Sequence, residues 1–495
     1  MKARRNEIRK KRVRCGAAAA AWLLVPLLVL FMLNTDCLPP ATRRKWTGCF
    51  RKYQWVGLLK HHTTKKNRSE RVQVPVAWNF SGPHWYVATD RYFSTSNILP
   101  RTNVATPSSK LSCNFSSTRM NFCLMEGDVR MHGKSSTVYV VASSDDTYRP
   151  ENGTVTIRPY PRKWEIQTME MVREVTIRSS ASDSVPPQCT ITHDVPAVVF
   201  SAGALSRNYF HAMDDTILPL YITAREYDGH VMFLATNSDR HGISKYRHIL
   251  AALSMYPVID FDNDDAVRCF PSAHVGIESH EDLGINPALS RNGYTMMDFR
   301  SFLRSVYSLK RAWVAPPKRS LGQRPRLIMI LRRRSRALTN EMEAIAVATE
   351  IGFDVVAAGP EMVMDMAKFA EVVNTCDVIM GVHGAGLTNM LFLPHNGTVM
   401  QIIPWGNVKC ACWHYFGRPV PDMGLRYVEY EVNAEETTLK DVYPRDHAIF
   451  REPQSLHNQS FGDAWKIFFD GQNFTLDIDR FRGVMQQMYQ SVTIA

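Results

Sequence analysis

From Arg326 onward the chain alternates short apolar runs with amphipathic ones: RLIMIL, NEMEAIAVATEIGF, DVVAAG, MDMAKFAEVVNTC, DVIMGV, TVMQIIP. Continuous apolar strands separated by helices of roughly 10 to 15 residues specify a parallel sheet covered on both faces, since a strand buried on one face alone would alternate. No other stretch limits the fold so tightly. Asn340 is expected to cap the first helix with Glu343 three residues on, and Met342, Ile345, Ala346, Thr349 and Phe353 to form its sheet-facing stripe. Met366, Phe369, Ala370 and Val373 make the corresponding stripe in the second helix. Ahead of this series, STVYVVAS (136–143), REVTIR (173–178) and the helical MMDFRSFLRSVYSL (296–309) predict another α/β domain, over 111–320, with 321–495 as the second.

The formal net charge of +12 is unevenly placed. Residues 1–71 hold 18 Lys/Arg against Glu7, Asp36 and Glu70, a net of +15 that leaves −3 for residues 72–495. A nucleic-acid binder would carry its surplus on the folded part, so no nucleic-acid partner is expected. Basic residues between Lys2 and Arg14 run straight into the uncharged GAAAAAWLLVPLLVLFML at 16–33. About 18 to 20 apolar residues cross a bilayer core, and Lys/Arg-rich flanks stay cytosolic. A cytosolic tail (1–15), a transmembrane signal-anchor (16–34) and a polar stem (35–110) are therefore expected; a cleaved signal peptide is the competing reading. Sequons at Asn67, Asn79, Asn114, Asn152, Asn396, Asn458 and Asn473 are compatible with a secretory lumen. The cysteines predict several disulfides and no zinc site: Cys113 and Cys123 are close enough to pair, whereas Cys410 and Cys412 are too cramped to pair with each other.

Ligands of such sheets bind beyond the carboxyl ends of the strands, and two of those ends are chemically loaded. After RLIMIL comes RRRSR, with Arg332, Arg333, Arg334 and Arg336 before Asn340; guanidinium forks suit a pyrophosphate, and two of them can neutralise a leaving diphosphate. After DVIMGV comes His383 with Gly384, Ala385 and Gly386, where glycines let the backbone close on a ligand. His383 is either a donor to a phosphate or sugar hydroxyl or a buried histidine bonded to a neighbouring carbonyl. A third stretch, SRNYFHAMDDTILPLY (206–221), holds His211, Asp214 and Asp215. A histidine or aspartate there would take the proton of an acceptor hydroxyl; equally, Asp214 or Asp215 would cap a helix.

Together, RLIMILRRRSRALTN, GVHGAGLTNMLFLP and TVMQIIPWG resemble glycosyltransferase family 61, and the likeness extends to FHAMDD, YPVIDF, MGLRYVEYEVNAEE and YPRDHAIF, over residues 195–490. The C-terminal half is most similar to the plant branch, which includes grass xylan arabinosyl- and xylosyltransferases and the plant N-glycan xylosyltransferase. The resemblance implies a GT-B architecture, two facing Rossmann-like domains with the donor in the C-terminal one, and inverting transfer with no metal at the chemistry. It puts Arg332, Arg336 and Asn340 on the family's Arg-x-x-x-Arg-x-x-x-Asn donor segment, His383, Gly384 and Ala385 on its His-Gly-Ala turn, and His211 and Asp215 on its acceptor-side His-Asp-Phe-x-Asp motif. The sequence departs from the pattern at SAGALSRN (201–208), at Ala212 and at Leu331.

The protein expected on these grounds is a Golgi type II membrane enzyme, its catalytic part lumenal, acting alone or in a homo- or hetero-oligomer. It would move a pentose from UDP-arabinofuranose or UDP-xylose to backbone xylose of xylan or a xylo-oligosaccharide, with His211 or Asp215 as base. The alternatives are a protein N-glycan or other glycan acceptor, a non-catalytic Golgi scaffold, and a manganese-dependent transferase using the Asp-x-Asp of DFDND (260–264).

Overall fold

The computed structural model describes residues 110–141, 153–179, 185–238, 240–314 and 324–494. None of their helices is long and apolar enough to cross a membrane. The expected anchor at 16–34 and all of the stem but Lys110 lie outside the described residues.

The first sheet has ten strands: β1 (Lys110–Asn114), β2 (Phe122–His132), β3 (Thr137–Val140), β4 (Thr154–Ile157), β5 (Val175–Ser179), β6 (Ile191–Thr192), β7 (Ala197–Ser201), β8 (Met232–Thr236), β9 (Ile259–Asp260) and β10 (Val267–Val275). Their order is β4-β5-β3-β2-β10-β7-β8-β9, with β1 on β2 and β6 on β10. It is a mixed sheet: β2 is antiparallel to β1, β3 and β10, whereas β10, β7, β8 and β9 run parallel. Every residue of β7 and β8 is buried. Val198, Phe200, Phe233 and Ala235 face one core and Ala197, Val199, Met232 and Leu234 another, the period of two expected of a strand covered on both sides.

The second sheet is the one the sequence announces. β11 (Arg326–Ile330), β12 (Asp354–Ala358), β13 (Val378–Val382), β14 (Thr398–Ile403) and β15 (Arg426–Glu431) are all parallel, in the order β12-β11-β13-β14-β15. Ile328, Ile330 and Ile379 share a core cluster with Phe200, Phe233 and the helix Met296–Val306, so one apolar core runs from the first sheet to the second. Leu327, Met329, Val378 and Met380 face the opposite side, covered by Phe481, Met485 and Met488 of the helix Ile478–Ile494.

Helix Met366–Asn374 buries Met366, Phe369, Ala370 and Val373 as expected, with Asp365 as its N-cap. Helix Glu341–Ile351 differs from its expectation. It buries Ala344, Val347 and Ala348 and leaves Met342 70% exposed. Apolar side chains stand on several sides of this helix, so a stripe counted from Met342 fits the sequence as well as the one in use. The side chain of Asn340 makes no cap bond either. Disulfides join Cys113 to Cys123 and Cys189 to Cys269, while Cys376 and Cys412 are buried free thiols.

Candidate functional site

The connections from β11 to β12 and from β12 to β13 leave the sheet on opposite sides of β11, which makes the gap between β11 and β13 a topological switch point, where such sheets open a crevice. Both loaded strand ends stand there. Of the arginines in RRRSR, Arg333 and Arg334 are exposed and Arg333 pairs with Glu341, whereas Arg332 is half-buried and Arg336 buried. Gly384, at φ 144°, is in the left-handed region that glycine alone adopts freely. A Cβ there would stand 2.7 Å from Arg332 Nη1 and 3.7 Å from Arg336 Nη1, so both guanidinium groups close on one backbone turn.

Neither guanidinium has a carboxylate partner among the described residues. Arg332 Nε donates to the Ser335 carbonyl (2.8 Å) and Arg336 Nη1 to the His383 carbonyl (3.2 Å), while Arg336 Nε is buried without a partner. Burial and the neighbouring Arg332 bring Arg336 down to about 10. Burial, with Arg336 and Arg332 adding to it, holds the His383 imidazole well below its ordinary value. The 3-10 helix Ala385–Phe392 begins at Gly384, and its first N–H groups point out of the helix. Two cations, free N–H groups and a histidine thus converge where an anion would neutralise them.

The acid-bearing stretch folds differently. Asn208, not Asp214 or Asp215, caps the helix start by accepting from the Phe210 N–H. Pro219 has no N–H to give the carbonyl four residues back, and Ala212–Ile217 winds as a π-helical turn in which the Leu218 N–H reaches the Met213 carbonyl. That turn carries Asp214 and Asp215 inward, onto Arg162. Arg162 Nε donates to Asp215 Oδ1 (2.9 Å) and Oδ2 (2.7 Å), Nη1 to Glu165 (2.7 Å) and Nη2 to Asp214 (3.2 Å). Tyr160 donates its hydroxyl to Asp215 Oδ2 (2.8 Å), and His211 Nδ1 meets the same oxygen at 2.9 Å. Burial pushes the Asp215 carboxyl up, but Arg162 and His211 outweigh it and hold the group well below the usual carboxylate range. Burial beside Asp282 and Asp215 pushes Asp214 the other way. Arg162 is 1% exposed with φ at 103°, a conformation costing a non-glycine residue about 1–3 kcal/mol, so its surroundings hold it there.

The helix Lys409–Phe416 joins the two clusters. Its His414 Nε2 meets Asp282 Oδ2 at 2.8 Å, and Asp282 also accepts from Arg119 (2.9 Å). The Phe416 ring packs 5.4 Å from both Phe210, next to His211, and His383. His211, Asp215, Arg332, Arg336 and the His383–Gly386 turn therefore border one aromatic contact, with helix 409–416 and Arg162 as members that the sequence did not single out.

Two further stretches bond within the chain in this structure. The Asn340 side chain donates to the Leu476 carbonyl and to Glu343 and accepts from the Leu476 N–H, which spends both amide hydrogens on the chain itself. In DFDND, Asp262 accepts from Thr236 and from the Asn237 N–H and pairs with Arg173, Asp264 pairs with Arg268, and Asp260 accepts from Asn263 while its Oδ1 is buried without a partner.

The sequence profile described as Glycosyltransferase 61 matches residues 209–400. An alpha-1,3-arabinosyltransferase of Oryza sativa subsp. japonica (XAT3) is 42% identical over 76% of this chain and 64% of its own length. A beta-1,2-xylosyltransferase of the same organism (XYXT1) is 39% identical over 77% of this chain and 84% of its own. The xylan glycosyltransferase MUCI21 of Arabidopsis thaliana is 32% identical over 80% and 82%. Against three of the rice relatives the chain spans just under two thirds, 64% to 66%, of their length.

Proposed function

The chain belongs to glycosyltransferase family 61, and from that premise we propose that it is an inverting pentosyltransferase of GT-B architecture that needs no metal at the chemistry. Its donor is UDP-arabinofuranose or UDP-xylose, and its acceptor is backbone xylose of xylan. The observation that carries this reading is the Arg332–Arg336 pair, two inward-turned cations without carboxylate partners among the described residues, closed over the Gly384 backbone at the switch point. A nucleoside diphosphate supplies the missing negative charge in the geometry that guanidinium forks favour. The pentose and xylan parts draw on relatives named as arabinosyl-, xylosyl- and xylan glycosyltransferases.

In this reading His211 is the base. Its side chain is 22% exposed with Nδ1 held by Asp215, which leaves Nε2 to take the proton of the acceptor hydroxyl. Asp215 is fully buried and both its oxygens are engaged, so it orients the imidazole and stabilises it once charged. As the acceptor oxygen bonds C1 of the pentose, the C1–O bond to the β-phosphate breaks. Its electron pair stays on the departing diphosphate, where Arg332, Arg336 and the N–H groups after Gly384 hold the charge. Golgi residence with a type II anchor at 16–34 belongs to the same proposal, supported by the basic flank and by disulfides that suit an oxidising compartment.

The test incubates the full-length chain with xylo-oligosaccharide and each UDP-pentose, with and without a chelator, and reads products by mass and linkage analysis. Transfer of one pentose that survives chelation and is lost in Arg332→Ala is expected. Activity restored only by added manganese would sink the metal-independent part. Failure with every UDP-sugar and glycan acceptor tried, by a folded protein, would overturn the enzymatic reading.

A further inference from the structure

Gln401 lies in β14, one residue before the partner of Val382, and so sits beside the strand end that carries His383. It is fully buried, and all its bonds are within the chain. Its Nε2 meets His383 Nδ1 at 2.7 Å and the Cys412 carbonyl at 3.3 Å, and its Oε1 accepts from the Tyr427 hydroxyl at 2.7 Å. The Cys412 carbonyl can only accept, so the atom facing it is the NH2 group, and this fixes which way the amide points. The same NH2 then donates to His383 Nδ1, which must be the bare nitrogen of the ring.

We infer that Gln401 and Tyr427 are positioning residues that hold His383 as its Nε2–H tautomer, so the His-Gly turn presents one N–H donor beside the two guanidinium groups. Nothing among the described residues bonds Nε2, and Phe416 and Phe469 pack against the ring at 5.4 and 5.5 Å, which resists its turning over. The groups facing the ring keep it uncharged. Arg332 and Arg336 repel a proton from the 332–336 segment, Gln401 and Tyr427 are neutral, burial keeps the Cys412 thiol protonated, and Asp470 acts on the two arginines. This inference rests on the donor site proposed above. There Nε2–H donates a hydrogen bond to the β-phosphate oxygen as the C1–O electron pair arrives, and no proton is transferred.

The experiment is a long-range proton–nitrogen correlation spectrum of the full chain labelled at its 16 histidines, with the His383 ring identified from His383→Gln. The wild type should show the Nε2–H pattern, unchanged well below the pH at which an ordinary histidine charges. In Gln401→Glu, read at a pH where the carboxylate is ionised, the side chain can only accept, so Nδ1 must carry hydrogen. The spectrum should move to the Nδ1–H or doubly protonated form, and kcat should fall on the order of 10- to 100-fold, with a new pH dependence and an unchanged KM for the acceptor. Tyr427→Phe removes one hydroxyl, should keep the tautomer, and should lower kcat by less. An Nδ1–H pattern in the wild type, or an Nε2–H pattern that survives Gln401→Glu, would overturn the inference. Failure of the donor reading is distinguishable, because it would appear as absence of UDP binding by calorimetry with the Nε2–H pattern intact.

Discussion

The Arg162 cluster is buried and the Arg332–Arg336 pair buried in part, and their charges are balanced in different ways. Arg162 meets Glu165, Asp214 and Asp215 within 3.2 Å, and every donor of that cluster points at another group of the chain. Arg332 and Arg336 meet carbonyls and each other's field. A guanidinium cannot shed its charge, and burying one without an acid has a cost, which Arg300, 1% exposed, meets with the Leu391, Leu393 and Met423 carbonyls. The first cluster is complete in the free chain and, in the function proposed above, aims His211. In the same proposal the second takes its counter-charge from the bound diphosphate.

The strongest way to break this contrast is Arg162→Met, which would leave Asp214, Asp215 and Glu165 buried without their cation. A loss of about 3–5 kcal/mol is expected in urea unfolding. His211→Ala should leave folding and UDP binding intact while kcat drops by roughly 100- to 10,000-fold, because the base acts only on the acceptor proton. An equal loss of UDP affinity would place His211 on the donor side instead. Arg336→Ala should do the opposite of Arg162→Met. UDP affinity should weaken by about 1.5–3 kcal/mol in calorimetry, while the melting temperature of the free chain holds or rises. A fall in melting temperature like that of Arg162→Met would erase the distinction.

His274 gives the smallest effect and shows what a buried group does when it can discharge. Its ring nitrogens make no hydrogen bond, Nε2 standing 3.8 Å from a Glu278 oxygen, and burial lowers it from 6.5 to about 3. The unfolded chain takes up a proton below about 6.5 and the folded one does not until near 3, so stability is full above 6.5 and falls with the pH below it, by about 1.4 kcal/mol per pH unit. His274→Phe should remove that slope, read as the difference between variant and wild type in urea midpoints at pH 7.5 and 5.5.

The second sheet was legible because each of its first four strands is a continuous apolar run, a signal carried by neighbouring residues. Its loaded ends followed, since only strand ends meet ligands in such sheets. Three things escaped. Arg162 and Asp215 are 53 positions apart, and nothing in either stretch names the other as its partner. Gln401 read as one polar residue in an apolar strand, and its bond to His383 exists only because β14 lies beside β13. Residues His414 to Phe416 carry no spacing that marks them as the link between clusters. The stripe of helix Glu341–Ile351 was misjudged because alanine is apolar enough to be inside and small enough to be outside.

The helix Ile478–Ile494 has a consequence in time. Phe481, Met485, Met488 and Val492 stand in the same core as Leu327, Met329 and Val378, so the strands that end at the arginines and at His383 have one face only partly covered until this segment is made. On a ribosome, well over a hundred residues separate β11 from the helix that covers it. For that interval this face is covered only by helix Glu341–Ile351, through Ala344, Val347 and Ala348, and the rest of its apolar surface is a target for chaperones. A stop codon before Phe481 should therefore yield a protein that is cleared, not one that is merely slow.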